Sequence, residues 1–369
     1  MRILHVEAGR HFYGGARQVA YIMEGLASRG IENILACPIG AEIATAVSPS
    51  VQVHPSPMRG DLDLGMAFRL ARLIRAVHPD IVHLHSRRGA DLWGGIAARI
   101  TGTPSVLSRR VDNPEPRWQV ALKYRLFDHV VTISEGIRQI LLQQGLSPQH
   151  VTCVRSSVDA APYLVPVDRA AFCSEFRLPH NAIVVGMVAQ LIPRKGHRYL
   201  IAAVAALSHD FPDVRVLLFG QGPLQEEIET AIAMAGLSRV MQLCGFRSDL
   251  PNWLGGLDLL AHPADMEGLG VSLLQASAAA VPIVASRAGG LPEAVEEGVT
   301  GLLVAPGDVP ALIAALRRLL GDAGLRQRMG AAGRARIAQE FAVEKMVDGN
   351  LAVYRAVLAQ RAAAGRPES

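Results

Sequence analysis

Short runs of β-branched and other apolar residues recur along the chain, each followed by a helix-length segment. One series comprises "RILHVEA", "NILACP", "VQVHP", "IVHLHS", "PSVLSR", "HVVTIS" and "VTCVRS"; a second comprises "AIVVGMVA", "VRVLLFG", "MQLCGF", "LDLLAHP", "PIVAS" and "GLLVAP". Strands alternating with helices build parallel sheets clothed by helices. Between the series lies "DAAPYLVPVDRAAFCSEFRLPHN", with three prolines and no strand alternation, which reads as a linker from about 160 to 181. The pattern predicts an α/β fold of two doubly wound, Rossmann-like domains, residues 1–165 and 166–344. "VEKMVDGNLAVYRAVLAQR" is helical in pattern, and residues 362–369 read as a frayed tail.

A length of 369 residues suits two domains, each with its own core. Hydrophobic residues make up 50% and charged residues 19%, yet no apolar run approaches the roughly 20 residues that span a bilayer. "MRILHVEAGR" reads as a buried first strand rather than a signal peptide, because its apolar part is short and no small-residue cleavage site follows. Cys37, Cys153, Cys173 and Cys244 form no C-x-x-C pair, which argues against a zinc knuckle and for reduced thiols in the cytoplasm. From His83 to Arg125 there are eight Lys or Arg against three acids, so this part of the first domain is expected to face an anionic partner. No nucleic acid is expected.

Ligands of doubly wound sheets bind beyond the carboxyl ends of the strands. Several polar or glycine-rich stretches sit there: Gly14-Gly15, His85 with Arg87 and Arg88, Arg109-Arg110, "LIPRKG", "GQGP" with Gly220 and Gly222, and Glu267 after "LDLLAHP". Their common placement predicts a cleft between the domains. "GRHFYGGA" has P-loop glycine spacing without the Lys and Ser/Thr, and no G-x-G-x-x-G is present there, which weakens a metal-nucleotide or nicotinamide reading. What remains is a glycine turn whose helix amides can approach a phosphate. Lys195 is a point charge suited to a pyrophosphate, and Arg194 adds a planar fork. In "MEGLGVSLLQ" the amides of Gly268, Leu269, Gly270 and Val271 open a helix whose positive end favours the same anion. Glu267 either caps that helix or accepts hydrogen bonds from sugar hydroxyls, with Gln275 near the next hydroxyl pair. Asp61 and Asp63 form a D-x-D in a context that favours capping. His83 and His85 share one face of a strand with no third ligand in view, so no metal site is expected.

These stretches, with "GGARQVAYIMEGLASRG", "DIVHLHS", "ISEGIRQILL", "IPRKGHRYLIAA", "LFGQGPL", "LCGFRSDLPNWL" and "MEGLGVSLLQASAAAVPIVASRAGGLPEAV", resemble the retaining glycosyltransferases of family 4, which have the GT-B fold. The resemblance covers nearly the whole chain, and the last stretch is its most specific part. It implies that Glu267 contacts the donor sugar and that Lys195 binds the pyrophosphate, with Gly14 and Gly15 facing it from the other domain. It also implies that Glu293 shapes the helix entry, that catalysis needs no metal or other cofactor, and that a helix at 345–361 packs back on the first domain.

The sequence departs from the family pattern at four places. Gln275 stands for a ribose-binding Glu, Gln190 for an Arg that accompanies the Lys, Arg110 for a His after the fifth strand, and Ser156-Ser157 for Asn-Gly. A Gln still accepts one ribose hydroxyl and donates to another. The resemblance therefore implies metal-independent, retaining transfer of a sugar from a nucleotide-sugar to a cell-envelope glycan or lipid-linked acceptor, as in lipopolysaccharide or polysaccharide biosynthesis. The acceptor side is expected at His85, Arg87, Arg109 and Arg110, which would receive an anionic acceptor or rest on the inner face of the cytoplasmic membrane. A GT-B sugar-nucleotide epimerase and a non-catalytic nucleotide-sugar-binding protein are the alternatives.

Overall fold

The computed structural model describes residues 1–85 and 89–364. The chain divides into two compact units, one formed by Met1–Ser157 and the segment from Val343 onward, the other by Val158–Ala342. In the first, β1 (Arg2–Val6), β2 (Glu32–Pro38), β3 (Gln52–Ser56), β4 (Ile81–Leu84), β5 (Ser105–Arg109), β6 (His129–Thr132) and β7 (Val151–Cys153) form a sheet in the order β3-β2-β1-β4-β5-β6-β7, every neighbour parallel. In the second, β8 (Ile183–Val188), β9 (Val214–Phe219), β10 (Met241–Gly245), β11 (Leu259–His262), β12 (Ile283–Ser286) and β13 (Gly301–Val304) run β10-β9-β8-β11-β12-β13, again all parallel. Each strand falls in one of the apolar runs, because a strand covered on both faces needs apolar residues at consecutive positions rather than alternate ones. β4 and β11 are buried at all four positions although each carries a histidine.

The strand order reverses direction between β1 and β4 in one sheet and between β8 and β11 in the other. At such a switch point the loops leaving adjacent strands diverge to opposite faces and open a crevice. The segments after β8 and β11 carry Lys195 and Glu267.

The C-terminal helix, Val343–Ala364, belongs to the first unit and covers one face of its sheet. Val347, Leu351, Tyr354 and Val357 recur at helical spacing and are buried against Ile3, Ile81, Val106 and Val131. Complete burial of such a side chain is worth about 1.5–3 kcal/mol, so four of them outweigh the helix's modest amphipathicity. The helix runs beyond residue 361, so 362–364 are helical rather than frayed, and residues 365–369 lie outside the described residues. The expected linker is also corrected. Residues Arg169–Glu175 form a helix capped by the Asp168 carboxylate on the Ala170 amide, 2.9 Å, and Phe172, Cys173 and Phe176 are buried in the second unit.

Candidate active site

β8 ends at Val188, and the chain passes through the 3-10 turn Pro193–Lys195 into the helix His197–Leu207. Gly196, between them, has φ +76°, and a Cβ there would stand 1.9 Å from the Pro263 carbonyl oxygen. Only glycine allows this approach, because another residue would meet both a strained backbone and a backbone clash. The segment after β8 therefore lies against the segment after β11, and the Asp265 amide donates to the Arg194 carbonyl at 2.8 Å. The consequence is a buried cluster. Lys195 Nζ donates to Glu267 Oε2 at 2.5 Å, His262 Nε2 reaches the same oxygen at 3.0 Å, and the Gly268 amide donates to Oε1 at 3.1 Å.

Burial alone would raise the Glu267 carboxyl, but the His262 hydrogen bond and the Lys195 charge outweigh it and hold it well below the usual carboxylate range. An ionised carboxylate only accepts, so His262 Nε2 carries the proton. The buried His262 Nδ1 and both ring nitrogens of His197 have no partner among the described residues. Burial, then His262 and Lys195, push His197 down to about 4, so it is neutral at physiological pH. Sequence reasoning passed over His197 and His262. The available signal was an imidazole ending an otherwise apolar strand at the carboxyl edge of a sheet.

The other residues expected at the donor site fall into two groups. Gln190 is exposed where β8 ends, and Arg194 and Gln275 are half-buried, the latter on the helix Val271–Ala278 that Gly270 opens. Leu269 is buried at 1% exposure and serves the core, with Gly268 and Gly270 buried beside it. Gly220 and Gly222 are packing positions: a Cβ on either would stand 1.9 Å from the Ala189 oxygen or 2.4 Å from the Leu191 oxygen. They press the segment after β9 against Gln190 and Leu191. Glu293 sits in the short helix Leu291–Ala294, and its carbonyl accepts from Arg336 at 2.8 Å. Gly270 is the N-cap residue of the helix Val271–Ala278, and Glu267 accepts from the Gly268 amide two residues before it.

In the first unit, Gly14 and Gly15 are exposed at the start of the helix Gly14–Ala27. The Arg110 Cδ lies 4.0 Å from where a Gly15 Cβ would stand. Arg110 Nε donates to the His85 carbonyl at 3.0 Å, and its Nη2 lies 3.4 Å from His85 Nδ1. Behind it the hydrogen positions follow by elimination. Both amide hydrogens of Asn33 are donated, to the Met23 and Ile31 carbonyls, so its Oδ1 accepts from His5 Nε2 at 3.0 Å. Burial holds His5 down to about 4 despite the Asn33 bond, so its ring is neutral and Nδ1 accepts from His85 Nε2 at 2.9 Å. That leaves His85 Nδ1 as an acceptor facing Arg110. His83 meets the Tyr354 hydroxyl at 2.5 Å and the Ser108 hydroxyl at 2.9 Å. The expectation that His83 and His85 lack a third neighbour is corrected, since His5 completes a buried group of three imidazoles with donor atoms within 4.8 Å. Hydrogen bonds to protein atoms already occupy those nitrogens.

Comparison with known proteins decides what carries these sites. Residues 12–161 match the family model for Glycosyltransferase Family 4, and residues 168–336 match Glycosyl transferases group 1. A 2-deoxystreptamine glucosyltransferase of Streptomyces kanamyceticus is 30% identical over 307 residues, covering 75% of this chain and 77% of that protein. The chain belongs to glycosyltransferase family 4. A lipopolysaccharide core biosynthesis glycosyltransferase, LpsE of Rhizobium meliloti, is 25% identical to this glycosyltransferase over 355 residues, 95% of one and 98% of the other. Its GT-B fold is shared by a glycosyltransferase from Rickettsia africae ESF-5, with TM-score 0.86, 21% identity and coverage of 97% and 98%. It is shared also by Anabaena Alr3699/HepE in complex with UDP, with TM-score 0.85, 22% identity and coverage of 96% and 100%.

Arg109 does not contribute an exposed charge to the acceptor face expected of the glycosyltransferase. Arg109 is 3% exposed, its Nη1 stands 2.9 Å from the Glu115 carboxylate, and its Nη2 donates to the Asn113 carbonyl at 2.5 Å. Glu115 in turn accepts from Lys123 at 3.3 Å and from the Tyr124 hydroxyl at 2.8 Å. This charge is neutralised inside the unit, which a count of basic residues cannot reveal. His85 is fully buried, and Arg87 and Arg88 lie outside the described residues. The D-x-D serves its own loop: Asp63 accepts from Arg69 at 2.6 Å and from the Arg59 amide at 3.0 Å. Ser157, in place of the family's glycine, exchanges two bonds of 2.8 and 2.9 Å with Gln18.

Proposed function

We propose that this glycosyltransferase moves a sugar from a nucleotide-sugar, with retention at the anomeric carbon and without a metal, to a cell-envelope glycan or lipid-linked acceptor at the cytoplasmic face of the membrane. The observation that carries the reading is the Lys195–Glu267–His262 cluster at the switch point between β8 and β11. Cleaving the bond from the anomeric carbon to the diphosphate leaves an electron pair on a phosphate oxygen and oxocarbenium character on the sugar. Lys195, with Arg194 beside it in sequence, supplies fixed positive charge for the first, and the amides opening the helix Val271–Ala278 add their dipole. The ionised Glu267 supplies an acceptor for sugar hydroxyls. Fixed charges that need no reorganisation are usually the largest catalytic term.

The likeness to HepE, which binds UDP, supports a uridine nucleotide as the first donor to test, and the likeness to LpsE supports a lipopolysaccharide-type acceptor. The four cysteines are free, which suits a cytoplasmic site of action. No helix among the described residues is long and apolar enough to cross a membrane. The test is thermal unfolding with UDP, GDP, ADP and CMP, each with and without EDTA. A ligand at 100 times its dissociation constant adds about 2.7 kcal/mol of stability. We expect a shift with one nucleotide that survives EDTA and is lost in Lys195→Ala. No shift with any nucleotide would overturn the reading. Loss of the shift in EDTA would overturn its metal independence, and an inverted anomeric centre in the NMR spectrum of the product would overturn retention.

A further inference from the structure

His262 is the last residue of β11, an inner strand of its sheet, in register with Ala285 of β12 and fully buried. Its Nε2 donates to Glu267 Oε2 at 3.0 Å, and its Nδ1 has no partner among the described residues. The loop from His262 to Glu267 is tied down at three points. The Ala264 carbonyl accepts from the buried Ser286 hydroxyl, the Asp265 amide donates to the Arg194 carbonyl at 2.8 Å, and the Glu267 carbonyl accepts from the Gly290 amide at 3.1 Å. Glu267 Oε2 therefore takes two donors of different kinds. Lys195 brings its charge on a flexible four-carbon stem from the turn Pro193–Lys195, so the ammonium can swing away without a change of backbone. His262 cannot, because a ring with two side-chain torsions, packed on an inner strand, has no second rotamer open to it.

Under the proposed function a diphosphate recruits Lys195 and leaves behind a carboxylate that is largely shielded from water. Such a carboxylate, deprived of a counter-ion, tends to take up a proton, and a protonated Glu267 is a poorer acceptor for sugar hydroxyls. Of the influences that hold the Glu267 carboxyl low against its burial, the His262 hydrogen bond comes first and the Lys195 charge second. His197, beside both, is neutral and adds no charge. Once Lys195 has moved, His262 still donates to Oε2 and the Gly268 amide to Oε1 at 3.1 Å, one donor on each oxygen. The geometry points to His262 as a positioning residue that takes over Glu267 from Lys195 when the donor binds, keeping the carboxylate oriented and charged for transfer. This deepens the proposed function and rests on that reading for its purpose. It also divides the cluster, with Lys195 serving the diphosphate and His262 serving Glu267. An imidazole suits the task, since its Nε2 hydrogen is kept whether or not Nδ1 carries a proton.

Lys195→Ala reproduces the withdrawn ammonium, so the test needs neither donor nor acceptor. In the full chain, labelled at the glutamate carboxyl carbon, the Glu267 resonance is identified by its absence from Glu267→Gln and followed against pH by NMR. In Lys195→Ala it should remain ionised down to the ordinary glutamate value of about 4.3 or below. In Lys195→Ala/His262→Phe its midpoint should rise by at least about one pH unit, a tenfold gain in proton affinity. Lys195→Ala/His262→Gln, which returns an N–H donor, should restore most of the difference, a rescue that a merely space-filling His262 would not show. An unchanged midpoint in the phenylalanine variant, or a Glu267 already protonated near neutral pH in Lys195→Ala, would overturn the assignment. Should the phenylalanine variant not fold, nitrogen-labelled histidine spectra of Lys195→Ala decide: the His262 Nε2 proton should keep the downfield shift of a carboxylate bond, and its loss would overturn the assignment as well. With Lys195 in place, His262→Phe should keep the nucleotide-induced unfolding shift; losing it would put His262 on the diphosphate's side and overturn the division. Absence of that shift from the unaltered chain overturns the proposed function instead, while the carboxyl titration stays readable, so the two readings fail separately.

Discussion

In the free enzyme the Lys195 ammonium is held by Glu267 at 2.5 Å, with the two side chains only 9% and 18% exposed. A diphosphate that recruits Lys195 must draw it away from that carboxylate. Glu267→Gln keeps the shape and an accepting oxygen but removes the charge. Lys195 then donates to a neutral amide oxygen rather than to a carboxylate, and with the ion-pair attraction gone, withdrawing it becomes easier by about 1 kcal/mol. The variant should therefore bind the nucleoside diphosphate about five- to tenfold more tightly, while sugar transfer is lost because the hydroxyl acceptor is no longer ionised. The free variant should also unfold more readily, because Lys195 is left buried without its counter-ion. The assay is calorimetric titration with the nucleotide that shifts wild-type unfolding, beside a transfer assay read by NMR. Lys195→Ala is the control and should lose both binding and transfer. Equal or weaker nucleotide affinity in a folded Glu267→Gln protein would refute the exchange, since it would mean that phosphate never competes with Glu267 for Lys195.

Further outcomes follow from neutral and paired groups elsewhere. His5 and His197 are held down to about 4 against 6.5 in the unfolded chain, so below pH 6.5 the unfolded state binds more protons than the native one. Stability should be complete above pH 6.5 and fall as pH drops toward 4, each of the two contributing up to about 1.4 kcal/mol per pH unit; denaturant titrations across that window check the slope, and a flat profile contradicts it. Arg109→Ala should lower stability by about 1.5–3 kcal/mol by removing one charged partner of Glu115, which keeps Lys123 and Tyr124, and chemical denaturation reads this. A normally stable Arg109→Ala protein with altered acceptor use would restore Arg109 to the acceptor site. Gly196→Ala meets a carbonyl at 1.9 Å as well as a left-handed φ, so nucleotide binding should weaken at least tenfold by titration even where the chain still folds.

The strands were legible because parallel strands covered on both faces must be continuously apolar, a signal that survives the histidines in β4 and β11. The helix Arg169–Glu175 was not, since two turns among three prolines carry too little periodicity to be seen. Lys195 and Glu267 could be placed from the sequence because both follow strands, and position after a strand is a one-dimensional property. Their contact could not, because it depends on Gly196 resting against Pro263, a residue distant in sequence. The same holds in the first unit. His5 lies beside His83 only because β1 and β4 are neighbours in the sheet. Arg109 misled for the opposite reason: its partner is six residues away, in a segment whose folding back no periodic pattern announces.

The return of the helix Val343–Ala364 to the first unit has a bearing on synthesis. Translation delivers all of Val158–Ala342 before this helix leaves the ribosome. Until then the sheet face built by Ile3, Ile81, Val106 and Val131 is only partly covered, by Ile22 and Leu26, and His83 lacks its tyrosine. Domains generally fold in the order they emerge, so here the later one can close first while the earlier one waits with exposed apolar surface. A chain stopped at residue 342 would keep that surface permanently, which makes the nascent first unit the natural client of a chaperone.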